Sequence, residues 1–199
     1  SIDIAKTRYI EGRDTIHMTH LGLVTSRDNE NIKSYKLKSD FADADFSGDF
    51  YFRTMIPSVV TFIQNYLASF KRHDSLVYAD TGSNQFVKFS VRLKKTDEVM
   101  NVFLPVIRVA PDTRFDGFFS EDPAMIRLTG SSLDLTIAGV HLMNWFIKAT
   151  NRPDDLNLRT GCLEAIYRKN PLQDTMLMNL DSVELVSDIR RDSILYDLS

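Results

Sequence analysis

LDLTIAGVHLMNWFIKA, residues 133 to 149, is the stretch on which the reading of the fold turns. Wound at 3.6 residues per turn, its polar positions Asp134, His141, Asn144 and Lys148 fall on one narrow stripe, and every other position except Thr136 and Gly139 is apolar. The spacing predicts a helix that must be covered on most of its sides. Ser131 is a suitable N-cap, Asp134 stands three residues on in the manner of a capping box, and Asn151 to Pro153 stop the run. The helix is too short and too often interrupted to cross a bilayer, so protein has to cover it.

Two more helices follow from the same reasoning. Pro57 suits a first helical position, Val59, Val60, Ile63, Tyr66, Leu67 and Phe70 recur at three- and four-residue steps, and Lys71, Arg72 and His73 complement the negative end of the helix. Pro153, Asp154 and Asp155 open another, lined by Leu156, Cys162, Leu163 and Ile166 and closed by Arg168 to Pro171. Around them lie strands: Thr15 to Val24 with Ile32 to Leu37 as hairpin partner, an aspartate loop over FADADFSGDF, and an aromatic strand Phe50 to Ile56. Ser75 to Ala110 reads as an antiparallel meander of Leu76 to Ala79, Gln85 to Lys95 and Val99 to Val109. Ala110 to Gly130 reads as a long connection with a short helix at Pro123 to Leu128, and Thr175 to Leu180 and Val183 to Val186 as extended pieces. The expected fold is α+β: an antiparallel β-meander packed against two or three helices, one largely buried, in a single domain over 1–199. Residues 1–12 form an extended arm or short strand, and 171–199 an acidic tail.

Composition narrows the function classes without choosing among them. The 199 residues carry a net charge of -3, with 43% hydrophobic and 26% charged residues, ordinary values for a globular protein. One cysteine, Cys162, excludes an internal disulfide, and its apolar neighbours predict a buried thiol. No signal peptide and no transmembrane run is visible, which points to a cytoplasmic protein, or a virion-associated one if viral.

The basic strand is the best binding surface. Val87, Phe89, Val91 and Leu93 alternate with Lys88, Ser90, Arg92 and Lys94, so one side is core and the other carries cations, with Lys95 at its end and Phe86 on the cationic side. A ring beside a row of cations is how sheet-based proteins bind single-stranded nucleic acid. The acidic balance of the chain weighs against that partner. Asp43, Asp45, Ser47 and Asp49 match the first half of a calcium loop, yet Thr54 stands where the bidentate glutamate belongs. His17-Met18-Thr19 resembles half of the paired His-x-Thr motif of two-histidine phosphoesterases, and no second half accompanies it. His141 is a candidate pH-responsive group. No nucleophile elbow or phosphate-cradling glycine loop is present, and no cofactor is implied. With no catalytic constellation, the expectation is a non-enzymatic assembly or interaction protein, a phage or viral structural component being one member of that class. Its partner is another protein or a second copy, ahead of nucleic acid, and not a membrane. The alternatives are a single-strand nucleic-acid binder and a histidine-dependent phosphoesterase.

Overall fold

The computed structural model describes residues 1–12, 14–28, 32–55, 57–59, 84–152, 155–168, 176–190 and 193–198. In order these form β1 (Ile2–Glu11), β2 (Asp14–Arg27), β3 (Lys33–Ser39), β4 (Ala42–Asp49), β5 (Phe86–Leu93), helix α1 (Asp97–Phe103), β6 (Ile107–Val109), β7 (Arg114–Ser120), β8 (Met125–Ile137), β9 (Val140–Asn151), β10 (Asp155–Arg168), β11 (Met176–Arg190) and β12 (Ser193–Leu198). The strands build one antiparallel sheet in which spatial order follows sequence order, β6 alone lying off the path and pairing with β8. The fold is therefore antiparallel β, not α+β.

The decisive stretch is a hairpin. Ala138 and Gly139, at φ 49° and 87°, make a two-residue turn between Ile137 and Val140, which face each other across the ladder. Two central residues of positive φ match the right-handed twist of flanking strands. A segment apolar on nearly every side of a helix is also one whose two halves each supply apolar residues to a sheet. Here long-range pairing outweighs local helical spacing.

Further expectations are corrected in the same way. The helix drawn from Pro153 onward is β10. The third meander strand is instead helix α1 and the short β6, and β8 occupies most of the short helix drawn at Pro123 to Leu128. The aspartate loop is strand β4, and residues 52–55, expected as a strand, are helical. The arm is β1, and the acidic tail supplies β11 and β12. In the Pro57 helix, 57–59 are helical; its remainder, with the strand Leu76 to Ala79, lies outside the described residues. Among the described residues no helix is long and apolar enough to cross a membrane.

Side chains opposite each other in an antiparallel ladder share a face, so the register sorts the sheet. One row runs Ile2, Leu23, Leu37, Ala44, Val91, Phe115, Gly130, Ile147, Thr160, Leu185, Leu198, crossing every strand of the path. The next row on that face runs Tyr35, Phe46, Phe89, Gly117, Leu128, Ala149, Leu158, Ser187, Tyr196. This is face A. The opposite face B carries Lys36, Asp45, Ser90, Asp116, Thr129, Lys148, Arg159, Val186, Asp197 along one row.

Face A is covered at one end. Phe50, fully buried, forms one cluster with Val87 and Phe119 of β5 and β7 and with Leu156 and Ile189 of β10 and β11; Met55 and Val59 pack on it from the helical residues. In a flat sheet β7 and β10 would stand about 14 Å apart. Their union in one cluster makes face A the inner side of a curled sheet at this end.

At the other end the alternation slips by one residue. The ladder is interrupted along Leu133, Asn144, Leu163 and Ser182, where Asn144 and Ser182 have φ of 51° and 54°. Beyond that line the apolar row is Leu135, Leu142, Ala165, Leu180, which would have faced the other way by simple alternation. Local irregularities of this kind re-aim side chains.

Candidate functional site

The two faces of the sheet are the candidate site, and they differ in chemistry from edge to edge. Between the covered end and the irregular line, face A presents Val91, Phe115, Leu128, Ile147, Trp145, Leu158, Val183 and Leu185, all half-buried. Several of its polar groups are bonded to one another or to the backbone. Thr113 Oγ1 lies 2.7 Å from Ser132 Oγ, Trp145 Nε1 donates to Thr160 Oγ1 at 3.0 Å, and that hydroxyl donates to the Phe146 carbonyl at 2.8 Å. The Phe115 and Trp145 rings are 6.3 Å apart. Gly117 is required here, because a Cβ on it would stand 2.3 Å from Cζ of Phe89, whose ring lies over it. Among the described residues thirteen apolar side chains are buried, and five of those are alanine or cysteine, so most of the large apolar side chains of this face stay accessible.

Face B holds the predicted basic residues. The register places Phe86, Lys88 and Arg92 on it as expected, and Lys94 bonds to Asp43 of the same face at 2.6 Å. Lys95 lies past the end of β5 and, with Lys94, lines a cleft beside β2. The neighbouring strands add four cations that sequence reasoning missed. Arg92 faces Arg114, Lys88 faces Phe118 and through it Arg127, and Lys148 faces Arg159. Arg92 pairs with Asp112, its Nε 2.6 Å from Oδ1, and Arg159 pairs with Glu184, which raises the guanidinium pKa and lowers that of the carboxyl. Lys88, Arg114 and Arg127 have no carboxylate partner among the described residues. The signal was present in the alternation of RFDGFFS and MIRLTGS, masked by Gly117 and Pro123, which suggested a loop.

The calcium candidates do not converge. Asp43, Asp45 and Ser47 alternate along β4 on face B opposite Lys38, Lys36 and Ser34, and Asp49 binds Lys33 at 3.2 Å. Among the described residues no three His, Cys, Asp or Glu side chains are grouped to hold a metal. Lys33 is buried, its ammonium donating to the Phe50 carbonyl at 3.0 Å and lying 3.5 Å over the Tyr51 ring.

The histidines have structural partners. β2 pairs with β3 only from Leu21 onward, so its earlier residues form an edge. Glu98 of α1 accepts from the His17 backbone N–H at 2.6 Å, and Asp40 accepts from those of Thr19 and, at 3.1 Å, His20. The two carboxylates close that edge, and the amides hold both below the usual carboxylate range. The rings of His17 and His20 lie 3.3 Å from Glu98 and 3.5 Å from Asp3, two separate carboxylates. His141 Nε2 sits 2.5 Å from Asp134, a contact made across the hairpin. Cys162 is buried, as expected, and burial pushes its thiol up.

No protein-family model, curated protein or solved structure matches the chain.

Proposed function

We propose that the chain is a non-enzymatic interaction protein that holds an extended apolar ligand, the acyl chain of an amphiphile, along face A. One observation carries this reading: a cross-strand row, apolar but for the internally bonded Thr160, that traverses the whole sheet on one side while the other side is charged. Exposed apolar areas of this extent mark binding sites rather than ordinary surface. Interfaces between separately folded proteins carry about one hydrogen bond per 100–200 Å² and a polar rim. The first row of face A offers a single polar group, the Thr160 hydroxyl, which is already bonded, so it matches an occupant that needs few polar partners. The curl of the sheet around Phe50 gives that occupant a concave bed with one closed end.

Native mass spectrometry in the presence of dihexanoylphosphatidylcholine below its micellar concentration tests this. Saturable adducts are expected, and they should disappear in Ile147→Asp and Leu158→Asp. A chain that takes up no amphiphile and instead dimerises, with the dimer broken by the same substitutions, would replace the ligand by a second copy.

A second reading rests on the cations that the register gathers. Lys88 and Arg127 flank Phe118 on face B, Arg114 lies further along the same strand, and none of the three has a carboxylate partner among the described residues, a surface that suits a phosphate backbone with a stacked base. A gel shift with single-stranded oligonucleotide at two salt concentrations tests it. Binding that weakens with salt and in a Lys88/Arg127 alanine double variant is the expected result, and no binding at low salt would remove the reading.

A further inference from the structure

Beyond the irregular line, a cleft of about 690 Å³ opens between the chain leading into β6 and the β8–β9 turn. It is lined by three polar side chains from three adjacent strands. Arg108 of β6 faces Thr136 of β8, which faces His141 of β9, so the three stand in one row with the hydroxyl in the middle. Adjacent strands are about 4.8 Å apart, which puts the guanidinium and the imidazole within reach of a single group seated over Thr136. Arg108 has no carboxylate partner, and the Thr136 hydroxyl no hydrogen bond, among the described residues. The nearby acid, Asp134, is taken: its Oδ2 lies 2.5 Å from His141 Nε2. The rest of the wall includes Val106, Met143, Ile166 and Tyr167, which are apolar or aromatic. A cation and a hydroxyl without partners among the described residues, beside a carboxylate already bonded to His141, at one end of an apolar cleft select an anionic head on an apolar body.

We propose that this cleft binds a small organic anion, a phosphate monoester or carboxylate, with its charged head on Arg108 and Thr136 and its apolar body against Met143 and Ile166. The site lies beyond the irregular line, outside the stretch of face A proposed to hold the acyl chain. Its size is within the range of small-molecule pockets, and Arg108 offers paired N–H groups to two oxygens of the head.

The test follows the Met143 methyl signal by NMR in the full chain, titrated with phenyl phosphate, benzoate and benzyl alcohol. Saturable shifts are expected with either or both anions, phenyl phosphate alone narrowing the class to phosphates. Arg108→Gln should weaken anion binding by about tenfold or more, the value of one charge-assisted hydrogen bond, while leaving the alcohol unaffected. Leu158→Asp, which tests face A, should bind the anions like the parent chain. Equal affinity for the alcohol and the anions, unchanged binding in Arg108→Gln, or shifts that do not saturate would each overturn the proposal.

Discussion

Leu156 and Leu158 stand two residues apart on β10, on the same face, in the same kind of row, yet they do different work. Leu156 is buried in the cluster around Phe50, 6% exposed, whereas Leu158 is half-buried and outside that cluster. The pair divides face A into a covered end that forms a core and a longer part that does not. Chemistry does not separate the two parts, because both are apolar. The cover does: among the described residues, Phe50, Met55 and Val59 pack at one end of the sheet. An amphipathic sheet acquires its core only where a second layer is supplied. The remainder of the face is where we propose an acyl chain lies.

The strongest way to break this contrast is to remove the plug. Phe50→Ala should lower unfolding free energy by about 3–5 kcal/mol in urea denaturation, the usual cost of deleting a fully buried phenylalanine. Leu156→Ala should cost about 2–5 kcal/mol, while Leu158→Ala should cost about 1 kcal/mol or less and act on ligand uptake instead. Equal losses at the two leucines would show that face A is covered throughout. Lys33→Ala, beside the plug, should cost about 1–3 kcal/mol by stranding the Phe50 carbonyl that the ammonium serves, again read by urea denaturation.

The smallest effect concerns the edge closed by Asp40 and Glu98. Their carboxyls are lowered in the folded chain, so the stability they confer is fully present above the usual carboxylate pKa values. It is lost as pH falls through the lowered ones. Urea midpoints should therefore fall on acidification below about pH 4.5. An Asp40→Asn, Glu98→Gln double variant should show a shallower fall, and an unchanged slope would assign the acid sensitivity elsewhere.

The alternation of β5 was legible in the sequence because Lys88, Ser90 and Arg92 alternate with Val87, Phe89, Val91 and Leu93, and it placed Phe86, Lys88 and Arg92 on one face. The hairpin at 133–149 was not legible. Its turn is Ala-Gly rather than the Asn-Gly that signals a two-residue loop, and its alternation is broken near Asn144, where the apolar side changes parity. Asp134 and His141 were read as neighbours on one helical stripe, and they do meet, across a turn instead of along a helix. The cationic patch was half visible. Lys88 and Arg92 share a strand, but Arg114, Arg127 and Lys148 join them only through a register that no single segment encodes. Face A was invisible for the same reason: its rows exist only once the strands are paired.

Trp145, the one tryptophan of the chain, sits half-buried in the middle of face A, where we propose the acyl chain lies. Its fluorescence should be quenched in a saturable way by a phosphatidylcholine brominated on its acyl chains. The unbrominated lipid should not quench it, and Leu158→Asp should weaken the effect. Emission indifferent to brominated chains at concentrations where lipid is present in excess would contradict the claim.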